Sequence, residues 1–236
     1  MLLRLRHIAV WLRRITHTRG FGIQSPTDYW IERYVINEHL PYYSYQTIGQ
    51  NDDWLKRKLG RLYFRIANWC QPNVIYSDHF LEYLHAGCQT ATLHPLAAVP
   101  GASALGVPAG AFTLHPSNIS LGQRTLSTEG TKALDLRSLA TIGTQELQTS
   151  NFKLQTSNFK VLARLDIDGN HRQQFSNLLD ILDQRSVLIV EGIQRDKHFW
   201  QEIVAHQRTG VTFDLYYCGL VLFDKKRIKK NYIINF

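Results

Sequence analysis

Residues 161–193 alternate between strand-like and helix-like patterns, and this order restricts the fold more than any other stretch of the chain. Residues 161–167 are apolar apart from Arg164 and Asp166, and a turn of Asp, Gly, Asn and His follows them. Apolar residues then recur at helical spacing before a second apolar run at 187–190. A strand, a helix and a second strand in this order predict two parallel strands joined by a crossover helix.

Two acidic residues, Asp168 and Glu191, follow these two predicted strands. If the strands are neighbours, both acids lie at one edge of the sheet, and open α/β sheets bind ligands at that edge. The alternative is that both are solvated loop acids. We predict that the two side chains face one cavity, with carboxylates within about 10 Å of each other, or roughly two strand spacings.

The C-terminal part predicts further strands at 211–216 and 219–223, followed by a strand-like tail at 232–236. Two strands joined by so few residues must be antiparallel. The inferred architecture is therefore an α/β fold whose mostly parallel sheet ends in an antiparallel hairpin.

The composition suits one domain of moderate size, since the chain has 236 residues, of which 44% are hydrophobic. Its three cysteines are far apart and form no metal-binding pair, which predicts a reducing, cytoplasmic location. No apolar run is long enough for a transmembrane segment. The net charge of +8 favours anionic partners, although nucleic acid is not predicted as one of them.

An apolar stripe runs through residues 2–15, and arginines interrupt it. It is compatible with a transit peptide, a membrane-surface helix or a helix packed on the domain. We favour the packed helix, which would not be cleaved, because the tight loop at 20–24 and a helix start at Ser25-Pro26 follow it. Residues 1–70 are thus predicted to form an N-terminal helical layer.

Two groups within this layer have competing interpretations. The aromatic residues at 42–45 could stack on a ring, or they could cover a small helical layer. The basic triplet at 56–58 could contact phosphate, or it could lie on a solvated helix face. The second interpretation is favoured in both cases.

The segment 86–123 contains no charged residue, and its prolines exclude one long helix. A direct repeat of seven residues follows at 147–153 and 154–160. One pair of repeats does not make a solenoid, so we interpret it as a local duplication that lengthened a loop.

Three stretches carry a resemblance to a known family. They are RGFGIQSP at 19–26 with LPYY at 40–43, IDGNHR at 167–172, and 211–223 with the tail that ends at Phe236. In these stretches the chain resembles class I S-adenosylmethionine-dependent methyltransferases, and more narrowly an O-methyltransferase-like group of Bacteroidetes-type bacteria. The letters RLDIDG at 164–169 resemble the nucleophile turn of haloacid-dehalogenase phosphatases, which makes a phosphatase the third hypothesis.

The methyltransferase resemblance implies a Rossmann-like domain over residues 71–236, with seven strands and the last one antiparallel. It implies S-adenosylmethionine as the cofactor and methyl transfer to a small-molecule acceptor, with oxygen favoured. Asp168 would orient the acceptor, act as a base or hold a divalent ion with Glu191. The implied cofactor-binding positions are Ser77 and Asp78 after the first strand, His94 after the second, and Asp168.

Some of these positions depart from the family pattern. The turn at 77–80 has no glycine, which restricts close approach of the backbone to a ligand. His94 replaces an acid and loses a charge-assisted hydrogen bond to a ribose. We therefore predict weak or undetectable cofactor binding, and the alternative function is a divergent, non-catalytic member that acts as a structural or interaction module. Neither a metal ion nor an oligomeric state is predicted.

Overall fold

Seven strands form one sheet in the computed structural model, which describes residues 2–17, 20–99 and 161–236. Their spatial order is β2-β1-β3-β4-β6-β5-β7. Most of the segment without charged residues, from 100 onward, and the repeat at 147–160 lie outside the described residues. The strands are β1 (Val74–Tyr76), β2 (Thr92–His94), β3 (Val161–Asp166), β4 (Ser186–Glu191), β5 (Val211–Asp214), β6 (Cys218–Leu222) and β7 (Lys230–Ile233).

The strand directions confirm a mostly parallel sheet with an antiparallel pair in its C-terminal part. Strand β1 is parallel to both β2 and β3, and β3 is parallel to β4. Strand β6 is antiparallel to both of its neighbours, β4 and β5. The chain's last described strand, β7, lies parallel to β5. Among the described strands, β6 is therefore the one that runs against the others.

The helices begin where the sequence supplies caps. Ser25 caps α2 by accepting a hydrogen bond from the amide of Asp28, and Asp53 caps α3 by accepting from the amide of Lys56. Helix α2 continues into one π-helical turn, Glu32–Ile36. The helices are α1 (Leu2–Arg13), α2 (Pro26–Ile31), α3 (Trp54–Cys70), α4 (Leu81–Gly87), α5 (His171–Ile181) and α6 (Lys197–Ala205).

Helices cover both faces of the sheet. Leu162 on β3 and Val187 on β4 belong to a core cluster shared with α3 and α4. The residues that follow them in sequence, Ala163 and Leu188, belong to a second cluster shared with α5 and α6. This alternation follows from the two-residue period of a strand. It explains the nearly continuous apolar pattern of both strands, since neither face meets water.

The structure contains the predicted N-terminal helix, and the described part of its apolar stripe is largely exposed. Ile8 and Leu12 remain 53% and 57% exposed. The attachment comes from Arg14, whose guanidinium donates to the carbonyls of Asp214 and Ile234 and pairs with the carboxylate of Asp214 at 2.8 Å. Arg14 thus forms a polar anchor between the end of α1 and the ends of β5 and β7.

Replacing Arg14 by methionine should release α1 from the sheet. The loss of charge-assisted hydrogen bonds should raise local opening by about tenfold, which corresponds to roughly 1.4 kcal/mol. Chymotrypsin cleavage after Trp11, followed by mass spectrometry, measures this opening. The exposed neighbour Arg13, changed to methionine, is the matched control, and equal cleavage of both variants would contradict the role of Arg14.

Among the helices that the structure describes, none has the length and apolar character needed to cross a bilayer. The three cysteines, Cys70, Cys88 and Cys218, are buried free thiols.

Candidate functional site

The sheet order places a topological switch point at β1. From β1 the chain passes to β2 on one side, and later to β3 on the other. Ligands of open α/β sheets bind beyond the carboxyl ends of strands at such a point. The residues that end β1, β3 and β4 therefore define the candidate site.

A buried ion-pair cluster lies at the ends of β3 and β4. Arg164 is 1% exposed, and its Nε and Nη2 donate to Oε2 of Glu191 at 2.9 and 2.6 Å. The same oxygen accepts a hydrogen bond from the hydroxyl of Tyr63 at 2.9 Å. Nη2 of Arg164 also lies 3.3 Å from Asp166, and Arg195 binds the other oxygen of Asp166 at 2.9 Å. We call Tyr63, Arg164, Asp166 and Glu191 the sheet-edge cluster.

The strand period explains why these side chains meet. Asp166 is in register with Glu191 across the parallel pair β3 and β4. Arg164 lies two residues before Asp166, so both side chains project from the face of the sheet that α3 covers. Tyr63 on α3 reaches the same face and is completely buried.

The electrostatics of the cluster keep Arg164 charged and Tyr63 neutral. Burial lowers the pKa of the Arg164 guanidinium, but the charges of Glu191, Tyr63 and Asp166, together with the hydrogen bond to Glu191, outweigh burial, so that the pKa is raised overall. Burial raises the pKa of Tyr63 well above its usual value, and the nearby Cys218 and Glu191 act in the same direction. Tyr63 therefore stays a neutral phenol that donates a hydrogen bond to Glu191.

The turn after β1 is held by its own side chains. The hydroxyl of Ser77, a 1% exposed residue, donates to the carbonyl of His79 at 2.6 Å. Asp78 is exposed, and its carboxylate accepts a hydrogen bond from the amide of Leu96 at 3.0 Å. Ser77 and Asp78 thus satisfy backbone groups near the ends of β1 and β2.

Phe80 ends that turn and is the residue directly before α4. Its φ is +59°, a left-handed conformation that is uncommon for a bulky residue. Its ring contacts Tyr63 edge-on, with centroids 4.9 Å apart, and the guanidinium carbon of Arg164 lies 5.0 Å from the Phe80 ring centroid. Phe80 therefore packs directly on the sheet-edge cluster.

His94, predicted to follow the second strand after Thr92-Leu93, is the last residue of β2. It is in register with Tyr76, and the two rings lie 5.6 Å apart. The amide of Ser77 donates to the His94 carbonyl at 2.9 Å. The structure thus brings Ser77, Asp78 and His94 together at the ends of β1 and β2.

Asp168 does not share a cavity with Glu191. Strand β3 ends at Asp166, one residue earlier than the apolar pattern predicts, because the chain turns there and the Asp168 amide bonds to the Asp166 carbonyl. Asp168 is exposed, and its carboxylate accepts from the amide of Asn170 at 3.1 Å within the turn. The acid in register with Glu191 is Asp166.

A cavity of about 350 Å³, which we call the sheet-edge cavity, lies against the cluster. Residues from the first turns of α3 line one side of it, and Phe80, Arg164, Asp166 and Glu191 line the other. Within the described residues, Nη1 of Arg164 is buried and has no hydrogen-bond partner. This atom is the cluster's remaining donor for a small anionic group.

The described residues contain no group of three or more histidine, cysteine, aspartate or glutamate side chains that could hold a metal ion. Sequence reasoning identified Glu191 but did not assign Arg164, Asp166, Tyr63 or Phe80 to a site. One signal was available, because an arginine inside an apolar strand needs a buried partner.

A scan of known protein families finds no match to this chain, and neither the curated proteins nor the solved structures contain a match to it.

Proposed function

We propose that this chain is a divergent, non-catalytic member of the methyltransferase group that acts as a structural or interaction module. The observation that carries this proposal is the state of Glu191. Its Oε2 accepts hydrogen bonds from both Arg164 and Tyr63. A carboxylate engaged in this way stabilises the sheet edge and is not available to hold a divalent ion with Asp168.

The energetics support this assignment. Separating a buried ion pair leaves a charge without its partner, at a cost of about 3–5 kcal/mol. A catalytic cycle that used Glu191 would have to meet this cost at each turnover. Asp166 is similarly engaged, since it lies between Arg164 and Arg195.

The residues at the switch point do not fit S-adenosylmethionine as the resemblance implies. Ser77 and Asp78 are bonded to backbone groups of the loops, and the ring of Phe80 packs on Arg164. Nη1 of Arg164, which has no hydrogen-bond partner in the described structure, is suited to bind a carboxylate. The turn at 77–80, however, lacks a glycine that would let the backbone approach a nucleoside closely. We therefore derive no reaction step through this cofactor.

The second candidate function is methyl transfer to a small acceptor, with oxygen favoured, in a Rossmann-like domain. The switch point at β1 and the cavity beside it favour this candidate. Asp168 is the exposed acid beyond the end of β3 that would orient an acceptor, although it does not line that cavity.

Calorimetry with S-adenosylmethionine separates the two candidates. We expect no detectable binding by the unmodified chain, because His94 cannot supply the charge-assisted bond of an acid, which is worth roughly 1.5–3 kcal/mol. His94→Glu should strengthen any residual binding by roughly ten- to a hundredfold. His198→Glu on the exposed face of α6 makes the same charge change away from the site and should have no effect. Micromolar binding by the unmodified chain would overturn the non-catalytic proposal.

A further inference from the structure

A second, larger cavity of about 1270 Å³ lies between α3, the segment 36–46 and the residues that follow β7. We call it the α3 cavity. It shares no lining residue with the sheet-edge cavity, because different faces of α3 line the two cavities. Inferences about it therefore stand apart from the proposed function of the sheet-edge cluster.

The lining of the α3 cavity is strongly cationic. Glu38 is the carboxylate in this lining, and it accepts a hydrogen bond from the Tyr42 hydroxyl at 2.8 Å. In the described part of the chain, none of the cations in the lining forms an ion pair with a carboxylate. These cations are Arg33, Arg57, Lys58, Arg61 and Arg65.

Arg57 and Arg65 already have roles in the fold, because they donate to backbone carbonyls of neighbouring loops. Lys58 and Arg61 instead lie against aromatic rings. Nζ of Lys58 is 4.4 Å from the ring centroid of Phe236, and the guanidinium of Arg61 is 4.8 Å from that of Tyr45. They are three residues apart on α3 and so lie on one face of it.

The charge on Lys58 lacks a compensating anion. Burial lowers the pKa of Lys58 to about 8, and the charge of Arg65 acts in the same direction. An anionic group bound beside Lys58 would offset this unfavourable environment.

Aromatic side chains are exposed at the rim of the same cavity. Tyr43 is 88% exposed and Trp11 is 43% exposed, although both are large apolar residues. Cations that contact phosphate, combined with aromatic rings that stack on bases, are the features by which proteins bind nucleotides without sequence preference. The volume exceeds the 300–1,000 Å³ or so of a typical small-molecule site, which leaves room for more than one nucleotide.

We propose that the α3 cavity binds a nucleoside phosphate, with Lys58 and Arg61 on the phosphate oxygens and Tyr43 stacked on the base. Two sources offer this chemistry, a free nucleotide and a single-stranded nucleic acid. Both place negative charge next to an aromatic ring, so the experiment has an arm for each.

The test uses the whole chain at pH 7 and low salt. Binding of ATP is measured by calorimetry, and binding of a fluorescein-labelled strand of eight deoxyadenosines by anisotropy. We expect dissociation constants of roughly 10⁻⁴–10⁻⁶ M, the range of electrostatic nucleic-acid binding. Strand binding at least a hundredfold tighter than ATP binding would identify nucleic acid as the source, and comparable affinities would identify the free nucleotide.

The first variant is Lys58→Met with Arg61→Met. It should weaken binding of the preferred probe by at least about tenfold and, for the single strand, reduce the slope of log affinity against log salt by about 1.4. Its thermal midpoint should be unchanged or higher, because a half-buried ammonium without a counter-ion is removed. The control, Lys225→Met with Lys226→Met, lowers the net charge equally in an exposed turn, and it should change affinity by less than about twofold.

The second variant, Tyr43→Ala, changes an exposed side chain, so the fold should tolerate it. Loss of one stacked base should weaken binding by about five- to a hundredfold. Tyr34→Ala is the matched control, since Tyr34 is 59% exposed and lies outside the cavity lining.

Three outcomes would overturn the proposal. The first is that neither probe binds at about 1 mM, which is weaker than ordinary electrostatic binding. The second is equal weakening by the variant and control lysine pairs, which would indicate diffuse charge attraction. The third is that inorganic pyrophosphate binds as tightly as ATP, which would exclude recognition of the base.

Discussion

Replacing Arg164 by methionine is expected to lower the free energy of unfolding by about 3–5 kcal/mol. The variant leaves the carboxylate of Glu191 in a site where 13% of its side chain is exposed and the hydroxyl of Tyr63 is its remaining partner. Methionine has a similar length and restores the packing, so the loss reports on the charge. Urea denaturation followed by circular dichroism measures it.

The double variant Arg164→Met with Glu191→Met should recover most of this loss, because apolar residues of similar volume often replace a buried ion pair without cost. Arg172→Met is the control, since Arg172 pairs with acids at an exposed position, and it should cost less than about 1 kcal/mol. If the single Arg164 variant loses no more than this control, the sheet-edge cluster is not a stabilising element. A double-mutant cycle gives the coupling between the two residues.

The second large loss of stability is expected when Gly219 on β6 is replaced. A Cβ atom there would lie 2.3 Å from the ring of Trp200, which is 2% exposed, whereas real side chains keep at least 3.0 Å. Trp200 is enclosed by the core between α6 and the sheet, so it cannot move without displacing its neighbours. Gly219→Ala should therefore lower the free energy of unfolding by about 2–3 kcal/mol.

Gly169→Ala is the matched control, because nothing lies within 4 Å of the added Cβ. Its effect should stay within about 0.5 kcal/mol. Combining Gly219→Ala with Trp200→Phe should recover part of the loss if the clash is its cause. Equal stability of the two alanine variants would mean that β6 and α6 pack less closely than described.

The sequence predicted the parts of the fold that depend on local patterns. The helical spacing before Leu182 and the apolar run before Glu191 correspond to α5 and β4. The short link between β5 and β6 correctly required antiparallel pairing. Strand order was not predictable in this way, because the insertion of β6 between β4 and β5 depends on pairing between segments distant in sequence.

The candidate site was harder to predict, because its residues depend on where β3 ends. An apolar pattern that continues to Ile167 favours Asp168 as the acid at the strand end, whereas the register with β4 makes it Asp166. Arg164 could be identified as unusual, but Tyr63, which binds the same oxygen of Glu191, comes from α3, about a hundred positions before Arg164. The left-handed conformation of Phe80 has no sequence signal, since glycine is the residue that usually adopts it.

The hydrogen bonds of Arg14 also determine when α1 can dock on the sheet during synthesis of the chain. Its partners Asp214 and Ile234 lie 200 and 220 positions later in the chain. At a synthesis rate of about 5–20 residues per second, α1 leaves the ribosome roughly 10–40 s before the first of them. During that interval the guanidinium of Arg14 has neither of these partners. Helix α1 therefore docks only after nearly all of the sheet has been made, and chaperones that bind nascent chains would meet it in its undocked form.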